Sequence, residues 1–89
     1  MIEMEYYTAQ WCGPCKAMGP VIDQLKGEGW TITKIDVDKD PGKAKSSGVQ
    51  AMPTFIIYKD GLPVRRIVGA RQKYALESEL RLARDTFNL

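Results

Sequence analysis

Trp11-Cys12-Gly13-Pro14-Cys15-Lys16 contains both cysteines of this 89-residue chain, separated by two residues, one of them proline. A helix starting near Pro14 would set Cys12 at its amino-terminal edge and Cys15 one turn inside. Proline suits a first helical turn because its missing N–H would lack a partner there anyway. The free N–H groups of that turn stabilise negative charge. They favour a thiolate at Cys12, and thiolate is the form that attacks disulfides. Cys15 is near enough to close a small ring onto Cys12. One sulfur that attacks and one that resolves make a thiol–disulfide exchange centre.

Three plainer readings compete. A structural disulfide between residues three apart closes a tiny loop and removes little entropy from the unfolded chain. Structural zinc takes four nitrogen or sulfur ligands, whereas the chain offers two cysteines and no histidine, so a metal would have to bridge two chains. A pair of inert buried thiols fits poorly with the tryptophan, glycine, proline and lysine around them.

The totals limit the rest. Eighty-nine residues make one domain, 1–89, able to bury roughly 60–65% of its extended surface. Thirteen basic against 11 acidic side chains leave a net charge of +2, without the basic stripe that a nucleic-acid partner would require. Residues 1–6 carry no positive amino-terminal region, and no apolar run approaches a membrane span. The expected compartment is the cytoplasm, where a Cys-x-x-Cys pair is catalytic or metal-binding more often than structural.

Residues 3–9 read as a strand that delivers the cysteines to the carboxyl end of a sheet, where α/β proteins place their sites. A helix is expected from about Pro14 to Lys26, with Ala17, Met18, Val21, Ile22 and Leu25 as its apolar stripe. Gly19-Pro20 should kink it without dividing it. Trp30 to Val37 reads as a second strand. Asp40-Pro41 reads as a helix cap and first turn, with Gly48 as the stop. Residues 54–59 and 62–69 flank Asp60-Gly61, a strong hairpin signal. A last helix is expected from about Ala70 to Phe87, with Leu76, Leu80, Ala83 and Phe87 inward and Lys73–Glu77 and Glu77–Arg81 paired outside. The order is βαβαββα: an α/β fold with one four-stranded mixed sheet flanked by helices.

These motifs together resemble the thioredoxin family. Trp-Cys-Gly-Pro-Cys-Lys at 11–16 matches its active-site motif letter for letter, and Pro20 follows the second cysteine by five residues, as in the family. Lys34-Ile35-Asp36-Val37-Asp38 is similar to its strand ending in aspartate. Gly48-Val49-Gln50-Ala51-Met52-Pro53-Thr54 is similar to its cis-proline stretch, and Val68-Gly69-Ala70 to its glycine turn. The resemblance covers about residues 5–86. It implies Cys12 as attacking nucleophile, Cys15 as resolving thiol and a cis Pro53 facing them. It implies a docking patch for disulfide-containing proteins made by Trp11, Gly13, Pro14, Met52, Pro53, Gly69 and Ala70, with Lys16 beside the centre. No cofactor beyond the Cys12–Cys15 disulfide is expected, and no membrane or nucleic-acid partner. An NADPH-dependent thioredoxin reductase is the implied electron donor, and a monomer the expected state.

Two departures stand out. The family's usual amino-terminal strand and helix have no room here, which leaves the smaller architecture shared with glutaredoxins. The family's buried aspartate, six residues before the first cysteine, is Tyr6. Its lysine partner is matched by Lys34, which without a carboxylate should turn outward. The expected proton route to Cys15 is water or the Tyr6 hydroxyl. The alternatives are a glutaredoxin-like carrier recharged by glutathione, or a binding scaffold in which redox chemistry is incidental.

Overall fold

A computed structural model describes residues 1–86. Strand β1 (Ile2–Thr8) leads through a turn into α1 (Gly13–Lys16) and α2 (Met18–Gly27). Then follow β2 (Thr31–Asp36), α3 (Pro41–Ser46), β3 (Thr54–Lys59), β4 (Leu62–Val68) and α4 (Lys73–Thr86). The strands lie in the order β2-β1-β3-β4. β1 pairs parallel with β2, whereas β1–β3 and β3–β4 are antiparallel. This is the expected four-stranded mixed sheet.

The central strands are covered on both faces. Their side chains alternate between two sides, so Thr54, Phe55, Ile56 and Ile57 are all buried. Met4, Tyr6, Phe55 and Ile57 pack with Met18, Ile22 and Leu25 of α2 and Leu76, Leu80 and Ala83 of α4 to form the main core. Tyr7 and Ile56 point the other way and join Ile35 in a smaller cluster. Each fully buried leucine contributes about 1.5–3 kcal/mol by leaving water.

Local chemistry closes the elements. The Asp40 carboxylate accepts the Lys43 N–H at 3.1 Å and caps α3, and Gly48 ends that segment at φ +68°. Asp60 and Gly61 both hold positive φ, 52° and 85°, as a two-residue hairpin turn of type I′ demands. On α4, Glu77 meets Lys73 at 4.0 Å and Arg81 at 3.5 Å.

Three expectations need correction. The helix over 14–26 is two pieces, with Ala17 between them. Pro20 has no N–H for the Lys16 carbonyl four residues earlier, so the ladder is interrupted there. Ala17 is exposed and is not part of the apolar stripe. The last helix starts at Lys73, not Ala70. Gly69 turns the chain at φ +98°, and the first helical bonds run from Ala75 and Leu76 to the Gln72 carbonyl. Phe87, expected on the inner stripe of that helix, lies outside the described residues.

Candidate active site

The site forms where β1 ends. The Ala9 carbonyl accepts the Cys12 N–H at 3.2 Å, and the Thr8 carbonyl accepts the Val37 N–H at 2.9 Å. These bonds set the turn that carries the cysteines at the carboxyl end of the two parallel strands. Cys12 has extended backbone angles and caps α1: its sulfur accepts the Cys15 N–H at 3.2 Å. The sulfur stands where a serine or aspartate oxygen stands in ordinary caps. Cys12 and Cys15 are joined as a disulfide and are both buried.

Met52 faces this pair. The Met52 carbonyl oxygen lies 3.6 Å from the Cys12 sulfur, and Met52 packs on the cluster formed by Ala9, Cys12 and Cys15. The Met52–Pro53 peptide bond is cis. The Pro53 carbonyl accepts the Gly69 N–H at 2.8 Å, which ties the turn after β4 to the proline loop. Gly13, Pro14 and Ala70 are exposed, and Gly69 is half-buried.

Trp11 is 66% exposed. Its indole N–H donates to the Asp38 carboxylate at 2.8 Å. Asp38 is a site residue that the sequence reading missed. Its place in the Asp36-Val37-Asp38 run is the available signal, but 27 positions separate it from the tryptophan. Asp36 accepts the Asp38 N–H at 2.9 Å and so shapes the turn that presents it.

A cavity of about 670 Å³ lies on the β2 side of Cys15, lined among others by Tyr6, Thr8, Lys16, Lys34 and Asp36. Lys34 is exposed, as expected for a lysine without a carboxylate partner. Tyr6 sits opposite Lys34 in the strand register. The Tyr6 hydroxyl lies 3.0 Å from the Cys15 carbonyl oxygen and 3.1 Å from the Thr8 hydroxyl. The bond this hydroxyl makes in the disulfide form is to the Cys15 backbone carbonyl.

Comparison with known proteins agrees with this geometry. The thioredoxin family model matches residues 3–82. The chain belongs to the thioredoxin family. It is 49% identical over 79 residues to a thioredoxin of Mycolicibacterium smegmatis, a match covering 83% of this chain and 70% of the relative. It is 43% identical over 77 residues to a bifunctional thioredoxin reductase/thioredoxin of Mycobacterium leprae, covering 83% of this chain and 17% of that protein. A mutant thioredoxin from Halobacterium salinarum superposes with a TM-score of 0.86 at 32% identity, covering 90% of this chain and 72% of that one. The chain spans about two thirds of the length of the curated thioredoxins it matches. Thioredoxins are protein-disulfide oxidoreductases, and the family's Cys-Gly-Pro-Cys redox centre is present here, closed as a disulfide. Among the described residues, no helix is long and apolar enough to cross a membrane.

Proposed function

We propose that this chain reduces disulfides in proteins and is recharged by an NADPH-dependent thioredoxin reductase. The observation that carries the reading is the Cys12 sulfur at the cap of α1, taking the Cys15 N–H at 3.2 Å with Cys15 in disulfide reach. An N–H aimed at the sulfur favours thiolate over thiol.

In the reduced chain the Cys12 thiolate attacks a substrate disulfide. One Cys12–substrate S–S bond forms, and the other substrate sulfur leaves as a thiolate. The Cys15 thiolate then attacks the Cys12 sulfur. The Cys12–Cys15 bond forms, and the second substrate sulfur leaves and takes a proton from water. Two electrons have moved from the chain to the substrate, and the disulfide seen here is the product state.

In this reading Trp11, Gly13, Pro14, Met52, Pro53, Gly69 and Ala70 receive the substrate. The Met52 carbonyl beside Cys12 and the Gly69–Pro53 tie support that role. Lys16 and Lys34 add positive charge near the thiolates. The chain works as a single domain, as a cytoplasmic monomer, with no prosthetic group. The reductase fused to a thioredoxin in the Mycobacterium leprae relative supports the choice of electron donor.

The test is recharging. Oxidised protein is mixed with NADPH and thioredoxin reductase, or with glutathione, its reductase and NADPH, and insulin is supplied as the disulfide. NADPH loss in the first mixture alone is the expected result. Loss in the second alone would make the chain a glutaredoxin-like carrier. Loss in neither, with Cys12 still alkylatable after chemical reduction, would point to a dedicated reductase or to a scaffold.

A further inference from the structure

We infer that Tyr6 is a positioning residue for the resolving thiol, acting through the backbone of Cys15. This role rests on the redox reading above.

The Cys15 carbonyl sits at a weak point in the chain. It lies two residues before the interruption between α1 and α2, and Pro20 supplies no N–H to the neighbouring Lys16 carbonyl. Helical hydrogen bonds alone therefore hold this turn less firmly than a helix interior. The Tyr6 hydroxyl reaches it from β1 at 3.0 Å. A carbonyl oxygen can only accept, and a phenol has one proton. Tyr6 therefore donates to Cys15, and the Thr8 hydroxyl, 3.1 Å away, donates to the Tyr6 oxygen in turn.

The anchor itself is rigid. Tyr6 is 2% exposed and stacks on Phe55 across the sheet, with ring centroids 5.4 Å apart. At the other end of the residue, the Cys15 N–H is bound to the Cys12 sulfur at 3.2 Å. Both backbone groups of Cys15 are thus held: the N–H by its redox partner, and the carbonyl by the Ala17 N–H of its own turn and by the Tyr6 hydroxyl of the central strand. The peptide planes on either side fix the direction of the Cα–Cβ bond, and with it the place from which the Cys15 sulfur must attack. Reacting atoms need near-attack geometry, and small misplacement is costly. When the Cys12–Cys15 bond is broken, the Tyr6 tie remains to keep Cys15 within reach of a Cys12 mixed disulfide.

Reaction of the reduced chain with 5,5′-dithiobis(2-nitrobenzoate) tests this, because each step releases one coloured thiolate. Attack by Cys12 releases the first and leaves a mixed disulfide; resolution by Cys15 releases the second. Tyr6→Phe removes the hydroxyl and keeps the ring on Phe55. The expected result is an unchanged first phase and a second phase slowed about tenfold, or about 1.4 kcal/mol of barrier. Thr8→Val should slow the second phase less. Two phases that match the wild type would overturn the role. So would two phases that slow in parallel with a fall in Tm, since that marks general loss of structure. A wild-type chain that forms no mixed disulfide at all would instead overturn the redox reading, and the role with it.

Discussion

Gly69 donates its N–H to the Pro53 carbonyl at 2.8 Å, and this bond joins the turn after β4 to the loop that faces the disulfide. The glycine holds φ +98°, a region that side chains oppose, and a Cβ there would come within 3.1 Å of the Arg71 guanidinium. The Arg71 end can swing away, but the backbone angle cannot be relieved. Gly69→Val should lower stability by about 1–3 kcal/mol. It should also weaken protein-disulfide reduction more than reaction with a small disulfide. Chemical denaturation and the two substrates measured side by side check this.

The two cysteines should separate cleanly by variant. Cys12→Ser removes the attacking sulfur, and exchange should fall to background. Cys15→Ser keeps attack and removes resolution, so substrate should accumulate as a covalent adduct on Cys12. Non-reducing electrophoresis and intact mass read both outcomes.

The indole of Trp11 is held by Asp38 at 2.8 Å although the ring is exposed. A surface hydrogen bond to a carboxylate adds little to folding, but it fixes a broad apolar side chain at the rim of the site. Asp38→Ala should leave Tm nearly unchanged. It should raise KM for a protein disulfide severalfold, in line with about 1 kcal/mol of lost preorganisation. An equal KM would show that the ring needs no tether.

On the sheet face away from α2 and α4, Glu5 accepts hydrogen bonds from Tyr7 at 2.8 Å and Tyr58 at 2.7 Å and pairs with Lys43 of α3 at 3.1 Å. Burial pushes its carboxyl up. The bonds from Tyr58, Tyr7 and Lys43 outweigh that and hold it below the ordinary value of 4.5. A carboxyl depressed in the folded state adds stability that is full above pH 4.5 and is lost as pH falls through the lower folded value. Melting between pH 7 and pH 3 should show this decline in the wild type, and a flatter profile in Glu5→Gln. At pH 7 the variant should lose about 1 kcal/mol, a Tm drop of about 4–8 °C for a domain of this size.

Much of the fold was legible because local chemistry and the global arrangement agree. Asp40-Pro41, Gly48 and Asp60-Gly61 each mark a boundary that the structure keeps. The split of the first helix was less legible. Apolar spacing continues through Gly19-Pro20, and periodicity does not show where a missing N–H interrupts the ladder. The start of α4 was read three residues early for a similar reason. Ala70, Arg71 and Gln72 do not forbid a helix, but the Gly69–Pro53 bond holds that stretch against the site.

The sequence by itself determined the reacting atoms: two cysteines at a helix start, a proline between them, and the strand that delivers them. Those depend on neighbours along the chain. Tertiary structure decided what surrounds the sulfurs. Met52 comes to Cys12 across 40 positions, Trp11 finds Asp38 across 27, and the Tyr6 hydroxyl reaches the Cys15 carbonyl from the neighbouring strand. No local spacing encodes these pairs. They follow from the order β2-β1-β3-β4, which places Tyr6 in a central strand beneath α1 and brings the loops that carry Met52 and Gly69 to the same end of the sheet.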